Sequence, residues 1–491
     1  MIPFFEIVAV AALLAAVAAI LLRWPEAGTL VVMLLVYLNL PAIAVKLYGV
    51  PTPVVGLLGF LLVPPLLQNL FMRRERVILN MPFLLLFVFL GTAVASSFVA
   101  KDTDLALLWV TRYLAEGVLL YFLLLNLVRT FGTLRRVTWA LLVAGAVLGS
   151  LTLYQEISHS YGNEFGGLAQ RTLKRETPED VLFSQYDSEG PAGKVRLAQR
   201  AQGPIDDPNR FAQMLIVLLP LGWCRVRDEP TFAGRALAGS LSILILSGVL
   251  ITYSRGAFLA LLAMLTVLAI LRGIRLFQVV AVAAVLIVSA MLFAPGYSGR
   301  ILTLRGVQGL FSASSDVDPD AVQRGRATEM LAAWNVLVDH PVLGVGPGQF
   351  APIYSVSYMS EHYSLRRVTE QRRAHSLYLE LGAEMGVVGL LAFLAVVVAT
   401  LRDLMTVRRQ SASHRAVANY ATAFIVAISG YLTTALFLQL SFQRYFWILL
   451  SLAGAAVHAA RSLDPRGERH QVGIQPIGDV HRVTSGPLPS I

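Results

Sequence analysis

The 491-residue chain is 56% hydrophobic and only 14% charged, and its formal net charge is +10. Soluble domains carry about 25% charged residues, so this composition excludes an ordinary soluble protein. The basic excess lies mostly in short loops between apolar blocks, which is typical of a membrane protein and not of a nucleic-acid-binding protein. Cys224 is the only cysteine, so an internal disulfide and a cysteine metal cluster are both excluded.

Apolar blocks of membrane-crossing length recur along the chain. Backbone groups in lipid must bond within their own segment, so these blocks are predicted to be helices. The first block is expected to be retained, because Met1 to Glu6 lacks the basic residues of a cleavable signal peptide. Hydropathy predicts an all-α polytopic membrane protein with about thirteen spans, in a range of twelve to fourteen. They lie near residues 4–22, 27–45, 53–71, 81–99, 106–128, 137–157, 210–224, 236–252, 256–271, 277–294, 382–401, 416–438 and 443–460.

Charge in the connecting loops predicts the orientation. Every second connection, starting after the first span, is rich in arginine, whereas the other short connections hold only Lys46, Lys101, Arg255 and Arg444. Because cytoplasmic loops are enriched in Lys and Arg, the arginine-rich set is predicted to be cytoplasmic. The predicted organisation is therefore N-terminal transmembrane helices (1–157), a first long outer loop (158–209), central transmembrane helices (210–294), a second long outer loop (295–381), C-terminal transmembrane helices (382–461) and a disordered cytoplasmic tail (462–491).

The first long loop returns to the membrane at residues 202–210. Asp, Pro and Asn at this point favour a turn and a helix start. Capping alone explains Asp206 and Asp207, and it places Asn209 and Arg210 at the outer end of the next helix.

Tyr253-Ser254-Arg255-Gly256 separates two strongly apolar spans. A charged residue at a span boundary is costly unless it has a function or reaches water. Arg255 is therefore either a snorkelling arginine in a tight outer turn or a functional cation.

Two features of the second long loop stand out. A helix is predicted over 324–340, with apolar residues at i, i+3, i+4 and i+7 spacing on a face that suits the outer membrane interface. Arg324 and Arg326 at its start are either solvated or functional. The segment from His340 to Gly348 then holds three glycines and two prolines. No strand precedes it and no Lys-Ser/Thr follows, so it is interpreted as a structural turn that approaches the substrate and not as a phosphate loop.

Four arginines precede His375, which is expected to begin the helix of the next span. Arginine binds phosphate through paired, charge-assisted hydrogen bonds, and histidine accepts a proton near neutral pH. The cluster indicates an anionic ligand, or else a basic loop ordered by its own contacts. The arginines are Arg366, Arg367, Arg372 and Arg373.

In their order along the chain, these segments resemble the O-antigen ligase and O-antigen polymerase superfamily. The resemblance covers residues 200–400 by motif. Its elements are Asp207-Pro208-Asn209, Ser254-Arg255-Gly256, Arg326 followed by Trp334, His340-Pro341 with Gly344 and Gly346, and His375-Ser376 with Leu379, Glu384, Gly386 and Gly389.

The resemblance implies a GT-C-like membrane glycosyltransferase of the bacterial inner (plasma) membrane, with both long loops and the active site in the periplasm. The donor is a glycan on undecaprenyl diphosphate, and transfer is inverting and needs neither a metal nor another cofactor. Arg255 and Arg326 would hold the diphosphate, and His375 would activate the acceptor hydroxyl. Tyr253, Asn209, Arg210, Arg366, Arg372 and Arg373 are further candidates for substrate binding. Glu384, nine residues after His375 on one helix, is about 13–14 Å away and is assigned to packing or to supporting the residues around the site.

Several alternatives stay open at this stage. A ligase transfers the glycan onto lipid A–core, a polymerase onto the next lipid-linked unit, and a protein-modifying relative onto a serine or tyrosine; the first two are favoured. A transporter or flippase of the lipid-linked glycan is the main rival, although Arg112 and Glu116, predicted to pair, are among the few ionisable residues within the spans. Lipid II-polymerising proteins have a similar layout but rely on an outer acidic residue.

Overall fold

The computed structural model describes residues 24–51, 59, 61–172, 200–272, 321–362, 371–411, 414–438 and 443–463. The predicted spans 4–22 and 277–294, part of the predicted span 53–71 and the tail from 464 onward lie outside these residues, as do Arg366 and Arg367. Of Arg324 and Arg326 only the backbone is described.

The described residues form a helical bundle with one small hairpin. Strands β1 (Gln170–Thr172) and β2 (Arg200–Gly203) pair antiparallel, with Arg171 opposite Ala201. Short π-helical segments at Gln68–Met72, Tyr113–Leu119 and Phe350–Tyr354 and a 3₁₀ turn at Phe165–Gly167 accompany the α-helices. The helices are α1 (Pro25–Tyr37), α2 (Leu40–Tyr48), α3 (Val63–Leu67), α4 (Met81–Ser97), α5 (Thr103–Arg112), α6 (Leu120–Leu127), α7 (Phe131–Ser158), α8 (Pro208–Ile216), α9 (Leu219–Asp228), α10 (Phe232–Ile251), α11 (Arg255–Arg272), α12 (Ala321–Asp339), α13 (Ser355–His362), α14 (Leu377–Gln410), α15 (Arg415–Thr434) and α16 (Gln443–Leu463).

The predicted all-α polytopic membrane class is confirmed. Within the described residues, seven helices are long and apolar enough to cross a membrane, or up to eight if α1 and α2, bent by 52°, form one span. The predicted span 210–224 is instead the two short helices α8 and α9. The seven are Thr103–Leu127, Phe131–Ser158, Phe232–Ile251, Arg255–Arg272, Leu377–Gln410, Arg415–Thr434 and Arg444–Leu463.

Large aromatic side chains fill the centre of the bundle. Trp447 of α16 is fully buried, and its ring centroid lies 6.0 Å from that of Phe89 in α4 and 6.2 Å from that of Phe393 in α14. Helices α7 and α10 approach closely, because a Cβ on Gly248 would lie 2.9 Å from the Cα of Gly149. Small residues allow such backbone contact between membrane helices.

Arginines from the predicted cytoplasmic loops tie the helices together at one end of the bundle. Arg225 in α9 is 1% exposed and pairs with Glu229, and it donates a hydrogen bond of 2.9 Å to the Tyr420 hydroxyl. Arg135 at the start of α7 pairs with the same Glu229. A buried guanidinium is tolerated when it is paired and hydrogen-bonded, so this network joins α7, α9 and α15.

Helix α12 has one buried and one exposed side. Leu331, Trp334 and Val338 are exposed, whereas Val336, Leu337 and small residues are buried against the protein. The buried small residues are Ala332 and Ala333. Apolar periodicity therefore identified the helix, and three side chains of its apolar face are left exposed, as a face at the membrane interface would be.

Candidate active site

The turn at residues 252–255 joins α10 to α11 and presents Arg255 at its tip. Tyr253 has a positive φ of 51°, which reverses the chain direction tightly. The buried Ser254 accepts a hydrogen bond of 3.3 Å at Oγ from the Ala257 amide and so stabilises the first turn of α11. Arg255 is therefore the first residue of α11, and it is partly exposed.

Arg200, in β2, connects this turn to the start of α8. Its Nε donates to the Thr252 carbonyl oxygen at 2.9 Å, and its Nη2 donates to Asn209 Oδ1 at 2.9 Å. One guanidinium thus holds two sequence-predicted segments beside each other. The sequence analysis did not single out Arg200, and its charge in a polar loop was the only signal.

Helix α8 begins as predicted, with Asp207 as its N-cap. The Asp207 carboxylate accepts hydrogen bonds from the amides of Asn209 at 2.8 Å and Arg210 at 3.0 Å. Asp206 instead pairs with Lys46. Capping thus accounts for Asp207, as the sequence predicted, and an ion pair accounts for Asp206.

Arg210 lies in a group of mixed charges. Burial lowers the pKa of its guanidinium, while Asp207 and Glu380 favour its charged form and Arg373 opposes it. An arginine remains protonated in such surroundings. Arg210 therefore supplies a fixed positive charge close to Arg373, another of the predicted substrate-binding residues.

The glycine-rich turn from His340 to Gly348 is built into α14. The amides of Val345 and Gly346 donate to the carbonyl oxygens of Ala383 at 3.0 Å and Glu384 at 2.9 Å. Backbone amides of Gly348 and Phe350 also donate to the Glu384 carboxylate. These bonds attach the turn to α14 through the backbone and the carboxylate of Glu384, which agrees with the structural role predicted for the turn.

His375 precedes α14 and does not begin it. The helix starts at Leu377, with Ser376 at the N-cap, so the predicted helix start at His375 is wrong. His375 has a positive φ of 48°, and its Nε2 lies 3.2 Å from Oε2 of Glu329. Because φ has the opposite sign to a helical residue, the imidazole is directed by the loop and reaches α12.

Two of the four predicted arginines pair with carboxylates near this contact. Nη1 of Arg372 is 3.3 Å from Glu329 Oε1, and Nη1 of Arg373 is 3.7 Å from Glu380 Oε1. The Arg373 guanidinium also lies 5.0 Å from the ring centroid of Trp109. Both arginines are thus positioned by the protein itself, which agrees with the interpretation that they order the loop.

Hydrogen bonds between helix ends bring these segments to one end of the bundle. The Leu377 amide donates to the Ala435 carbonyl at 3.0 Å, and Gln213 Nε2 donates to Thr434 Oγ1 at 2.7 Å. The end of α15 therefore contacts both α8 and the start of α14. The end of α15, together with the contacts of Arg200 and Arg210, links the loop that holds His375 to the turn that holds Arg255.

The region from α10 to α14 has a counterpart among known proteins. Residues 240–394 match the family model described as O-antigen ligase. This part of the chain is thus similar to the O-antigen ligase family. No curated protein matches the chain.

The O-antigen ligase match confirms the superfamily resemblance that the motifs predicted. It indicates glycan transfer of the ligase and polymerase type, with a lipid-linked glycan and an acceptor as substrates in general terms. The matched region includes the Arg255 turn, Arg326, the glycine-rich turn and His375, whereas Asn209 and Arg210 precede it.

Arg326 lies in the O-antigen ligase region three residues before Glu329 on α12. Its side chain is outside the described part, and Arg366 is outside it entirely. The structure therefore relates Arg255, Arg210, Arg372, Arg373 and His375 to one another, and of Arg326 it gives the backbone position alone. Among the described residues, no group of three or more His, Cys, Asp or Glu side chains is arranged to hold a metal ion.

Proposed function

We propose that this protein transfers a glycan from undecaprenyl diphosphate to an acceptor hydroxyl at the periplasmic face of the bacterial inner membrane. The observation that carries the proposal is the approach of a carboxylate-paired His375 and several arginines at one end of a membrane bundle, within and beside an O-antigen ligase region. These groups suit a reaction with an anionic leaving group and a neutral nucleophile.

Arg255 and Arg326 bind the donor diphosphate in this proposal. Negative charge grows on the diphosphate as the bond to the sugar breaks, and fixed guanidinium groups stabilise that charge. Arg255 stands at the tip of a turn held by Arg200 through Thr252, so its backbone is already ordered before the substrate binds. The lipid tail would lie in an apolar cleft beside α10 and α11.

His375 acts on the acceptor. The acceptor hydroxyl oxygen bonds to the anomeric carbon from the face opposite the diphosphate, and the bond from that carbon to the diphosphate oxygen breaks. The hydroxyl proton passes to His375, and the diphosphate leaves with the bonding electron pair. General base catalysis of this kind contributes about 10²- to 10⁴-fold, and attack from the opposite face inverts the anomeric configuration.

The other predicted residues bind the flanking parts of the two substrates. Asn209 and Tyr253 adjoin the proposed diphosphate site through Arg200 and the Arg255 turn. Arg210, Arg372 and Arg373, with Arg366, provide positive charge toward an anionic glycan or a lipid A–core acceptor. The ion pairs of Arg372 with Glu329 and of Arg373 with Glu380 are rearranged or shared when such an acceptor binds.

A transporter or flippase is the alternative, and the ionisable residues within the spans give it little support. The predicted pairing of Arg112 with Glu116 is wrong. Glu116 lies 4.0 Å from Arg444, and Arg112 stacks at 5.0 Å from the Trp109 ring centroid. The Glu116 contact joins the segment Tyr113–Leu119 to α16, whereas the Arg112 contact lies within α5, and both have a packing role.

Purified protein tests the proposal directly. It is given an undecaprenyl-diphosphate glycan in EDTA, with lipid A–core or with the donor itself as acceptor, and products are resolved by gel. Product on lipid A–core that is lost in Arg255→Ala, Arg326→Ala and His375→Ala establishes a ligase, and ladder growth on the donor establishes a polymerase. Arg136→Ala, which removes an arginine paired with Glu26 at the opposite end, is the matched control and keeps activity. Absence of transfer to either acceptor, with all variants still complementing a deletion strain, favours the transporter.

A further inference from the structure

Glu329 is a buried carboxylate next to the proposed catalytic histidine, and the sequence pattern gave no reason to single it out. It lies on the inner face of α12, with its neighbours Ala332 and Ala333, and is 2% exposed. Glutamate is almost never fully buried unless it is paired. The side chains in contact with this carboxylate therefore indicate its role.

The two carboxylate oxygens of Glu329 approach two side chains of one short loop. Oε2 is 3.2 Å from Nε2 of His375, and Oε1 is 3.3 Å from Nη1 of Arg372. The Arg372 amide also donates to Ser355 Oγ at 3.2 Å. The loop is thus attached to α12 and α13 immediately before α14 begins.

We propose that Glu329 is the positioning residue of His375, a role that rests on the proposed glycan transfer. A carboxylate oxygen 3.2 Å from Nε2 favours the tautomer that carries its proton on Nε2 and leaves the basic lone pair on Nδ1. The atom that takes the proton of the acceptor hydroxyl is then Nδ1, which is buried in this structure and has to become accessible when the acceptor binds. The imidazolium formed in that step is stabilised by the adjacent negative charge, as carboxylate–histidine pairs do in other enzymes.

The backbone at His375 supports this role. Its φ of 48° is uncommon for a residue with a side chain and has an energetic cost. Such a conformation persists when the surroundings fix it, and here the Glu329 contact and the N-cap at Ser376 lie on either side of the strained bond. The pair therefore fixes both the proton position and the direction of the ring.

The same helix carries a proposed donor-binding residue. Arg326 precedes Glu329 by three residues, which is less than one helical turn and about 4.5 Å along the axis. Helix α12 would then bring the diphosphate-binding cation and the base-orienting anion into the site together. Glu329 is consequently expected to affect the rate of transfer and not the affinity for the donor.

A double-mutant cycle tests whether Glu329 acts through His375. The transfer rate at saturating donor and the KM for the donor are measured for wild type, Glu329→Gln, His375→Ala and the double variant in the purified full-length protein. We expect Glu329→Gln to lower the rate by about 10- to 100-fold with an unchanged KM. The double variant should be no slower than His375→Ala alone, because a positioning residue has no effect once its partner is absent. Glu329→Asp keeps the charge and should recover part of the lost rate.

The outcomes separate this role from the proposed function. A wild type without transfer activity overturns the proposed function itself. If wild type is active and the two losses multiply in the double variant, glycan transfer stands and the positioning role is overturned. Glu75→Gln, in a pair with Arg129 at 3.0 Å, controls for the loss of a carboxylate charge elsewhere and should keep the full rate.

The wild-type protein gives an independent answer if the Glu329 variants do not fold. Histidine labelled with ¹⁵N reports the tautomer, and the His375 signal is assigned by its loss in His375→Gln. A signal from neutral imidazole protonated on Nε2 is the expected result. Neutral imidazole protonated on Nδ1 overturns the proposal.

Discussion

The Gly346 amide donates a hydrogen bond of 2.9 Å to the carbonyl oxygen of Glu384, two residues before α14 is interrupted. Gly386 has φ 67° and ψ −172°, so the helix cannot continue its own hydrogen bonds there. The glycine-rich turn supplies replacement donors on one side, and the Val387 amide donates back to the Pro341 carbonyl at 2.8 Å. The turn and the helix break are therefore one structural unit.

Gly386→Ala should destabilise the protein by about 2 kcal/mol or more. That backbone conformation is essentially restricted to glycine, and an added Cβ would overlap the Val342 carbonyl oxygen. Thermal unfolding in detergent measures the effect. Gly91→Ala is the matched control, since a Cβ there meets nothing within 4 Å. Equal melting temperatures for the two variants would contradict the explanation.

Arg255→Ala should reduce glycan transfer by at least about 10²-fold, because a fixed donor to the developing diphosphate charge is lost. Arg255→Lys should recover only part of the rate, since an ammonium cannot make the paired hydrogen bonds of a guanidinium. Initial rates with saturating acceptor provide the measurement. Full activity of the Arg255→Ala variant would show that Arg255 does not bind the donor diphosphate.

Arg200→Ala should reduce transfer while leaving the fold intact. The change removes both the bond to the Thr252 carbonyl and the bond to Asn209, so the Arg255 turn loses its connection to α8. We expect a loss of about 10-fold, smaller than that of Arg255→Ala, as is usual for a supporting residue. Circular dichroism and melting temperature check the fold, and a rate equal to wild type would contradict the role.

Arg225→Ala should lower the free energy of unfolding by about 3–5 kcal/mol, because it leaves the buried Glu229 without one of its partners. Arg461→Ala breaks the more exposed pair with Asp403 at 3.0 Å and should cost no more than about 1 kcal/mol. Yield of folded protein and thermal unfolding compare the two. Similar losses for both would show that burial does not determine the strength of these pairs.

Chelation should leave glycan transfer unchanged, because in the proposed mechanism guanidinium groups stabilise the leaving diphosphate. Rates are compared in EDTA and in millimolar Mg²⁺ with the same protein preparation. A loss of activity in EDTA that Mg²⁺ restores would place a divalent cation in the reaction.

The sequence predicted the parts of the fold that depend on local composition. Seven predicted spans appear as long apolar helices, and the Asp207 cap and the structural turn at residues 340–348 were both anticipated. Hydropathy and capping act over a few residues, so they can be identified without knowing the tertiary contacts.

Contacts between distant segments were not predictable in the same way. Glu329 and His375 are 46 positions apart, and their pairing depends on how α12 packs on α14. The packed face of α12 mixes two alanines and two larger apolar residues with the charged Glu329, so hydropathy alone does not single it out. Arg112 and Glu116 had the spacing of an ion pair, but Arg112 stacks on Trp109 of its own helix, and Glu116 lies near Arg444 of α16.

The break at Gly386 also divides α14 into two segments with different roles. From Val387 to Gln410 the helix is about 36 Å long at 1.5 Å per residue, which is enough on its own to traverse about 30 Å of hydrocarbon. The preceding segment, with Glu380 and Glu384, therefore does not need to cross the hydrocarbon. Tilting that accommodates a thicker or thinner bilayer can then be confined to the second segment, while the first keeps its bonds to the turn.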